Sequence, residues 1–145
     1  MERSYKQPVS VLVVIYTLDL QVLLLERADQ PGLWQSVTGS RDGEETLLQT
    51  AAREVTEETG LEAQCFQLSA WGYQNTFSIY PQWRHRYAPG ITENTEHVFG
   101  LLLPKIVPIL VSPREHLGYT WLGVEAAAEK CFSPSNAEAI RRLIR

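Results

Sequence analysis

Cysteine, long apolar runs and low-complexity segments are scarce or absent in this chain. Its two cysteines, Cys65 and Cys131, lack metal-ligand spacing, which excludes a disulfide framework and favours buried free thiols. The longest apolar run, at residues 11–16, is far shorter than the ~20 residues that cross a bilayer. Met1 leads into polar residues, so we expect no signal peptide, no membrane partner and a cytoplasmic location.

The length and composition favour one globular domain over residues 1–145. The sequence is 44% hydrophobic and 21% charged, which are ordinary values for a globular domain. A chain of 145 residues buries roughly two thirds of its unfolded surface, so its core needs neither a metal nor a disulfide. The sequence has no internal repeat and no linker that would mark a second domain.

The net charge of −4 is unevenly distributed along the chain. Residues 39–62 include seven acids and two bases and carry −5, whereas the rest of the chain carries +1. A solvated acidic helix face is the usual reason for such a cluster. A divalent-cation site is the alternative, and the spacing of the acids has to decide between the two.

Runs of apolar and β-branched residues between turn residues predict a mixed β-sheet sandwiched between helices, an α/β (α+β) fold. Residues 9–16 are typical of a buried strand, and residues 22–25 are its predicted hairpin partner. Further strands are predicted within residues 65–80, 98–103, 107–111 and 119–122. Residues 81–95 form a predicted basic and aromatic loop, and a last helix is predicted to begin at Ser133 and Pro134 and to end at Arg145.

The strongest helix signal covers residues 46–59. Thr46 and Gln49 have the spacing of a capping box, and Gly60 suits the left-handed position after the last helical residue. Apolar residues at helical spacing predict a stripe that packs against the core. This stripe consists of Leu48, Ala51, Ala52, Val55 and Thr59.

Three glutamates beside this stripe, Glu54, Glu57 and Glu58, form the clearest chemical signal. Like charges on neighbouring helical positions destabilise a helix by roughly 0.2–0.5 kcal/mol, so a sequence selected for stability alone would avoid them. A bound Mg²⁺ or Mn²⁺ reverses the effect, because hard cations take oxygen ligands. The glutamates belong to the string Gly39-x5-Glu45-x7-Arg53-Glu54-Val55-x-Glu57-Glu58-x-Gly60-Leu61.

At every defined position this string resembles the signature of the Nudix hydrolase family, Gly-x5-Glu-x7-Arg-Glu-U-x-Glu-Glu-x-Gly-U with U aliphatic. The resemblance implies a Nudix fold with this loop–helix–loop box, and Mg²⁺-dependent hydrolysis of a diphosphate linked to another moiety. It implies that Glu54 and Glu58 are catalytic metal ligands, with Glu57 a third candidate. It also implies that Glu45 and Arg53 fix the loop against the helix.

The residues alone do not decide whether a second acidic site lies outside the box. Glu115 follows a predicted strand, where a loop can bend back over the helix. From spacing alone, an exposed loop glutamate is the simpler interpretation. Glu93, Glu96 and Glu125 are weaker candidates for the same role.

Stretches distributed along the chain, mostly outside the box, resemble a group of bacterial Nudix hydrolases that act on a pterin triphosphate. These stretches are residues 5–10, 34–40, 84–90, 94–96 and 115–117. The resemblance implies hydrolysis of 7,8-dihydroneopterin triphosphate to the monophosphate and pyrophosphate, for folate synthesis, with Glu115 as a catalytic metal ligand. It implies substrate contacts for Lys6 and Arg27. Thr38 and Ser133 are further substrate-binding candidates, although capping the last helix is the simpler role for Ser133.

Several alternatives accompany this interpretation. Trp34, Trp83 and Tyr87 either stack on a flat pterin ring or pack in the core, and the three histidines are expected to be structural or at the surface. The basic residues near position 85 are typical of a nucleic-acid patch, but the net charge of −4 argues against that partner. The second enzyme hypothesis is a housecleaning nucleoside triphosphate pyrophosphohydrolase. Retention of the box carboxylates argues against a non-catalytic binding module.

Overall fold

The computed structural model describes residues 4–145, so the residues on which the signal-peptide prediction rests lie largely outside it. The strands are β1 (Val9–Thr17), β2 (Gln21–Arg27), β3 (Trp34–Gln35), β4 (Val37–Ser40), β5 (Gln67–Ser78), β6 (Glu93–Leu103) and β7 (His116–Gly123). The α-helices are α1 (Leu47–Thr59), α2 (Val124–Lys130) and α3 (Pro134–Arg141), and short 3₁₀ helices cover Ala63–Cys65, Pro81–Arg86 and Arg142–Ile144. No helix within residues 4–145 is long and apolar enough to span a membrane.

The strands form one mixed sheet in two halves. A short hairpin contact between β1 and β2 joins the halves, and beyond this contact the two strands separate. β1 runs parallel to β6, and β5 pairs antiparallel with β6. β1 and β2 pair antiparallel at Tyr16 and Val22, as the sequence predicts. Away from this contact, β4 pairs with β1, while β3 and β7 pair with β2. The divergence of β1 from β2 leaves room for a cleft between the two halves.

Both faces of β1 are buried, which explains its almost uninterrupted apolar sequence. Val11, Val13 and Ile15 belong to a core that includes residues of α1, whereas Leu12 and Val14 belong to a second core with residues of α2 and α3. Successive residues of a strand point to opposite faces of the sheet. A strand between two helical layers must therefore be apolar at nearly every position. The predicted mixed sheet between helices is confirmed.

Helix α1 begins and ends where its capping residues predict. The Thr46 hydroxyl accepts a hydrogen bond from the Gln49 N–H at 3.1 Å, and the Gln49 side chain accepts one from the Thr46 N–H at 2.8 Å. Gly60 follows the helix with φ of 76°, a conformation in which a Cβ atom is unfavourable. These contacts satisfy backbone groups that a helix end would otherwise leave unpaired.

The buried face of α1 is rotated relative to the predicted apolar stripe. Glu54 and Glu58 are buried, together with Ala51. Leu48 is consequently 53% exposed, and Leu47 packs against the core in its place. The prediction for Leu48 was wrong because a stripe drawn through apolar residues alone leaves out two acids that lie in the interior.

The observed secondary structure differs from the predicted one in three other segments. Residues 107–111 were expected to form a strand but have no regular secondary structure, because Pro104 and Pro108 each lack the N–H that a ladder requires. Helix α2 was not predicted, since its seven residues are too few for a clear period. The predicted loop at residues 81–95 contains a 3₁₀ helix and the beginning of β6.

Both cysteines are free thiols. Cys131 is partly buried, and burial raises its pKa to about 12, so it is a poor nucleophile. Cys65 is exposed at the end of a single-turn 3₁₀ helix in which Ala63 is the buried residue. The prediction of two buried thiols is therefore wrong for Cys65.

Candidate active site

A cleft of about 310 Å³ opens between the diverging halves of the sheet, within the usual size range of small-molecule sites. Its walls come from the N-terminal segment, the separated ends of β1 and β2, and parts of β4, β6 and α3. The fold brings six of the eight predicted site residues to this cleft: Lys6, Arg27, Thr38, Glu58, Glu115 and Ser133. Glu54 lies directly behind Gly39, a residue of the cleft wall.

Glu54 and Glu58 form a buried carboxylate pair at the cleft. They are 7% and 2% exposed, and burial raises the pKa of both side chains. The neighbouring Glu54 carboxyl group raises the pKa of Glu58 further, whereas a hydrogen bond from the Thr38 N–H to Glu58 opposes the shift. Glu58 Oε1 has no hydrogen-bond partner within the described part of the chain. Two buried acids with an unsatisfied oxygen are costly without a cation.

Arg53 joins the loop before α1 to the acids of the helix. Its guanidinium donates to the two oxygens of Glu45 at 2.8 and 2.9 Å, and to the Ser40 carbonyl at 3.0 Å. It also donates to Glu54 Oε1 at 2.8 Å and to Glu57 at 3.2 Å. The hydrogen bonds from Arg53 are the main reason that the pKa of Glu45 falls to about 2. The predicted role of Arg53 and Glu45 in fixing the loop is confirmed by these contacts, and Arg53 also orients Glu54.

Gly39 leaves the space that the Glu54 carboxylate occupies. A Cβ atom at this position would lie 2.0 Å from Glu54 Cδ, far inside van der Waals contact. The pairing of β4 with β1 holds Gly39 opposite Val11. The first glycine of the motif is thus required for space at the carboxylate.

Glu115 lies in the loop before β7 and lines the cleft as an exposed side chain. Its carbonyl accepts a hydrogen bond from the Ala28 N–H at 2.9 Å, and its N–H donates to Ser112 at 3.0 Å. Its negative charge contributes to the raised pKa of Glu58. Among residues 4–145, no three His, Cys, Asp or Glu side chains already form a metal-binding group. The ligand set of Glu54, Glu58 and Glu115 therefore stays a prediction.

His116 is 4% exposed and lines the cleft rather than the outer surface. Its Nε2 lies 3.6 Å from Glu58 Oε1. Burial, with a contribution from Arg27, lowers its pKa to about 4, so the ring is neutral at pH 7. Its inward direction follows from the pairing of β7 with β2, a long-range register that the local sequence does not contain.

Arg27 is held in the cleft wall by an ion-pair cluster. Its guanidinium donates to both oxygens of Asp29, at 2.8 and 2.7 Å, and to Gln35 at 3.0 Å. It lies 4.2 Å from the ring centre of Trp83, and Arg86 donates to Asp29 at 3.1 Å. The hydrogen bond from Arg27 is the main reason that the pKa of Asp29 falls to about 2. Two guanidinium groups share one carboxylate, so the cluster keeps a positive charge that suits a polyanion.

Lys6 is within electrostatic reach of both this cluster and the carboxylate pair. Burial lowers the pKa of its ammonium group, Arg86 and Arg27 lower it further, and Glu54 and Glu58 oppose the shift. The residue as a whole is exposed, so the desolvated part is the ammonium end inside the cleft. Its backbone N–H donates to Arg86 at 2.9 Å, which fixes the N-terminal segment beside the cleft.

Of the other predicted site residues, Thr38 and Ser133 form hydrogen bonds with backbone groups, and Glu57 lies outside the cleft. The Thr38 hydroxyl donates to the Val11 carbonyl at 3.0 Å, so its proton is engaged with the backbone. Ser133 is the N-cap of α3 and accepts a hydrogen bond from the Asn136 N–H at 3.4 Å, which confirms its capping role. Glu57 is exposed on α1 and does not line the cleft. The substrate roles of Thr38 and Ser133 and the catalytic role of Glu57 stay predictions.

The aromatic residues at the cleft differ in part from those predicted. Trp83 and Tyr87 line it, whereas Trp34 packs against the second core. Tyr80 and Phe132, which no sequence pattern singled out, form a cluster with Trp83 in which the ring centres are 5.4–5.9 Å apart. Flat aromatic surface is therefore available beside Arg27.

Two polar residues of β6, Asn94 and Glu96, line the cleft and are 4% and 6% exposed. The sequence predicts no substrate contact for either residue, although both lie in the resembling stretch 94–96 and Glu96 is a weaker candidate for the second acidic site. Residues two apart on a strand share a face. Two polar residues at this spacing, at the beginning of an otherwise apolar strand, were the signal available in the sequence.

The fold and the box geometry together define the class of protein. Residues 6–143 match the NUDIX domain family, and the chain belongs to the Nudix hydrolases. These enzymes generally use divalent metal ions and act on small phosphorylated molecules.

Several similar proteins match nearly the whole chain. It is 47% identical to the dihydroneopterin triphosphate diphosphatase of Escherichia coli (strain K12), over 99% of this chain and 96% of that protein. It is 41% identical to the Haemophilus influenzae protein of the same name, over 97% of this chain and 90% of that protein. The solved structure of the E. coli dihydroneopterin triphosphate pyrophosphohydrolase has a TM-score of 0.91 and 46% identity and covers 98% of each chain. The likeness therefore extends well beyond the box.

Proposed function

We propose that this chain hydrolyses 7,8-dihydroneopterin triphosphate to dihydroneopterin monophosphate and pyrophosphate, with Mg²⁺ as its cofactor and Mn²⁺ as an alternative ion. The observation that carries the proposal is a single cleft that combines a buried carboxylate pair with a cationic cluster and aromatic walls. Relatives that carry the corresponding name are 41% and 47% identical to this chain over nearly its whole length. The cytoplasmic location stays a prediction.

A hard divalent cation fits the residues at the carboxylate end of the cleft. Glu58 Oε1 is buried without a hydrogen-bond partner among the described residues, and a cation would neutralise the two buried carboxylates. Glu54 and Glu58 would hold the ion, with Glu115 as a further ligand from the facing loop. When bound, Mg²⁺ polarises the phosphoryl oxygens and lowers the pKa of the attacking water.

The side chains around this end bind and orient the triphosphate. Arg27 and Arg86 offer planar guanidinium donors for phosphate oxygens, and Asp29 and Trp83 fix the Arg27 guanidinium. Lys6 adds an ammonium group between these arginines and the carboxylates. The polyanion would be held across the cations, with its α–β linkage at the carboxylates.

A carboxylate near the reaction centre has to accept the proton of the attacking water. Glu115 lines the cleft and forms no ion pair within residues 4–145, so it is available for this role or for metal ligation. Glu57 is the other candidate, although Arg53 binds it at 3.2 Å. Glu54 is the least suited to accept the proton, because its carboxyl group already interacts with Arg53 and Glu58.

The test is turnover of 7,8-dihydroneopterin triphosphate with Mg²⁺, with pyrophosphate and orthophosphate measured separately. We expect pyrophosphate release that EDTA abolishes, and a loss of kcat of at least ~100-fold in Glu58→Gln, because a metal ligand is removed. Glu44→Gln is the matched control, since Glu44 is an exposed acid of the same segment outside the cleft. Undiminished turnover in EDTA, or orthophosphate as the first product, would contradict the proposal.

A further inference from the structure

Glu96 is a buried acid with no role in the phosphate chemistry described above. It lies on β6 in register with Ser10 of β1 and Asn75 of β5, so it is placed inside the sheet and not at its edge. It is 6% exposed and lines the cleft. An apolar residue would stabilise this position better, because burying a carboxylate without a charged partner is costly.

Glu96 has no charged partner among residues 4–145. Within residues 4–145, no Lys, Arg or His forms an ion pair with it, and the Ser135 hydroxyl at 3.4 Å is its hydrogen-bond donor. Burial raises its pKa to about 7, and Ser135 opposes the shift. Glu96 is therefore a buried acid whose hydrogen bonds, within residues 4–145, come from the Ser135 hydroxyl alone.

Asn94 supplies a second unsatisfied acceptor on the same face of β6. Its Nδ2 donates to Ser10 Oγ at 2.7 Å, which fixes the orientation of the amide. Its Oδ1 is buried and has no hydrogen-bond partner in the described part of the chain. Carboxylate and amide oxygens two residues apart thus face a cleft in which a ligand can donate hydrogen bonds to them.

A ligand edge with two adjacent N–H donors would supply the hydrogen bonds that Glu96 and Asn94 Oδ1 lack. A 2-amino-4-oxo pyrimidine ring, as in a pterin, presents its N3–H and its 2-amino group side by side. The two oxygens of a carboxylate accept such a pair of donors in a bidentate manner. The apolar residues Leu12, Phe77 and Phe132 also line the cleft and suit the faces of a flat bicyclic ring.

We propose that Glu96 binds the N3–H and 2-amino donors of the pterin ring, with Asn94 as an additional acceptor, and so determines base specificity. This inference rests on the proposed function for the identity of the natural substrate. Guanine presents the same donor pair at N1–H and its 2-amino group. Hypoxanthine lacks the amino group, and adenine presents an acceptor at N1 beside its 6-amino donor.

Binding of nucleotide analogues tests this assignment independently of turnover. Calorimetric titration would compare the α,β-methylene analogues of GTP, ITP and ATP, whose α–β linkage resists cleavage. For the wild-type chain we expect Kd for the GTP analogue to be lower than for the ITP analogue by about tenfold, and lower than for the ATP analogue by more. Each lost charge-assisted hydrogen bond changes Kd by about tenfold or more.

Glu96→Gln keeps the shape of the side chain but replaces one acceptor by a donor. The glutamine amide opposes the guanine edge and complements the adenine edge, so we expect the GTP preference over ATP to disappear or to invert. A merely structural role for Glu96 would weaken all three analogues alike. Glu93→Gln is the matched control, because Glu93 is an exposed acid of the same strand outside the cleft.

The outcomes separate this inference from the proposed function. An unchanged ratio of Kd values in Glu96→Gln would overturn the role of Glu96, even if wild type hydrolyses the pterin triphosphate. If Glu96→Gln does not fold, the wild-type comparison decides, and equal Kd values for the GTP and ITP analogues would overturn the inference. Absence of pterin triphosphate turnover in wild type would instead contradict the proposed function.

Discussion

Substitution of Gly39 by alanine places a methyl group where the Glu54 carboxylate lies. The added Cβ would be 2.0 Å from Glu54 Cδ, whereas carbon atoms in contact are ~3.5 Å apart. The carboxylate therefore has to move by about 1.5 Å. Because the backbone at Gly39 is in an ordinary extended conformation within β4, the effect falls on Glu54 and leaves the strand in place.

A displacement of this size should reduce catalysis far more than stability. A misplacement of ~1 Å in an active site costs on the order of 100-fold in rate, which corresponds to about 2.7 kcal/mol of activation free energy. We expect kcat of Gly39→Ala to fall by at least that factor at saturating Mg²⁺, together with a weaker apparent affinity for Mg²⁺. The assay is pyrophosphate release over a Mg²⁺ titration, with thermal unfolding measured in parallel.

Gly118→Ala is the matched control for this experiment. Gly118 is also in a strand, and a Cβ there would meet nothing within 4 Å, so this variant should keep wild-type turnover. Full activity of Gly39→Ala would refute the argument that Gly39 is required for the position of Glu54. Loss of folded structure in Gly39→Ala would refute the claim that the strain falls on the side chain alone.

Three further predictions concern charged side chains. Arg53→Ala should lower the unfolding free energy at pH 7 by about 2 kcal/mol in urea denaturation. Because Arg53 lowers the folded pKa of Glu45 from 4.5 to about 2, this deficit should shrink as pH falls from about 4.5 toward 2, and a constant deficit would contradict it. The folded pKa of Glu96 is raised from 4.5 to about 7, so Glu96 alone should account for a loss of up to about 3 kcal/mol of wild-type stability as pH rises through that range. Glu96→Gln should lack this loss, and parallel pH profiles would count against it. Arg27→Ala should raise KM for the triphosphate by tenfold or more while kcat changes less, and an unchanged kcat/KM would show that Arg27 does not contact phosphate.

The local parts of the site could be predicted from the sequence because the geometry of one helix fixes them. Glu54 and Glu58 are four residues apart, so they must be neighbours on α1, and the capping residues Thr46 and Gly60 fix where that helix begins and ends. The two burial layers of the sheet also follow from the continuous apolar sequence of β1. These features depend on periodicity and capping, which short segments contain.

The remaining parts depend on which strands become neighbours. The burial of His116 follows from the register of β7 on β2, and Asp29 meets Arg86 only because the loop after β2 lies beside the 3₁₀ helix at Pro81–Arg86. The interior position of Glu96 requires β1 and β5 on either side of β6. Contacts between residues so far apart in the sequence leave no periodic signal in either segment.

Substrate preference of the wild-type chain tests the central claim most directly. The measurement is kcat/KM with Mg²⁺ for 7,8-dihydroneopterin triphosphate and for each common nucleoside triphosphate, by quantified pyrophosphate release. We predict the highest value for the pterin triphosphate, with pyrophosphate and the pterin monophosphate formed in equal amounts. A higher kcat/KM for any of the nucleoside triphosphates would contradict the account and favour a housecleaning pyrophosphohydrolase.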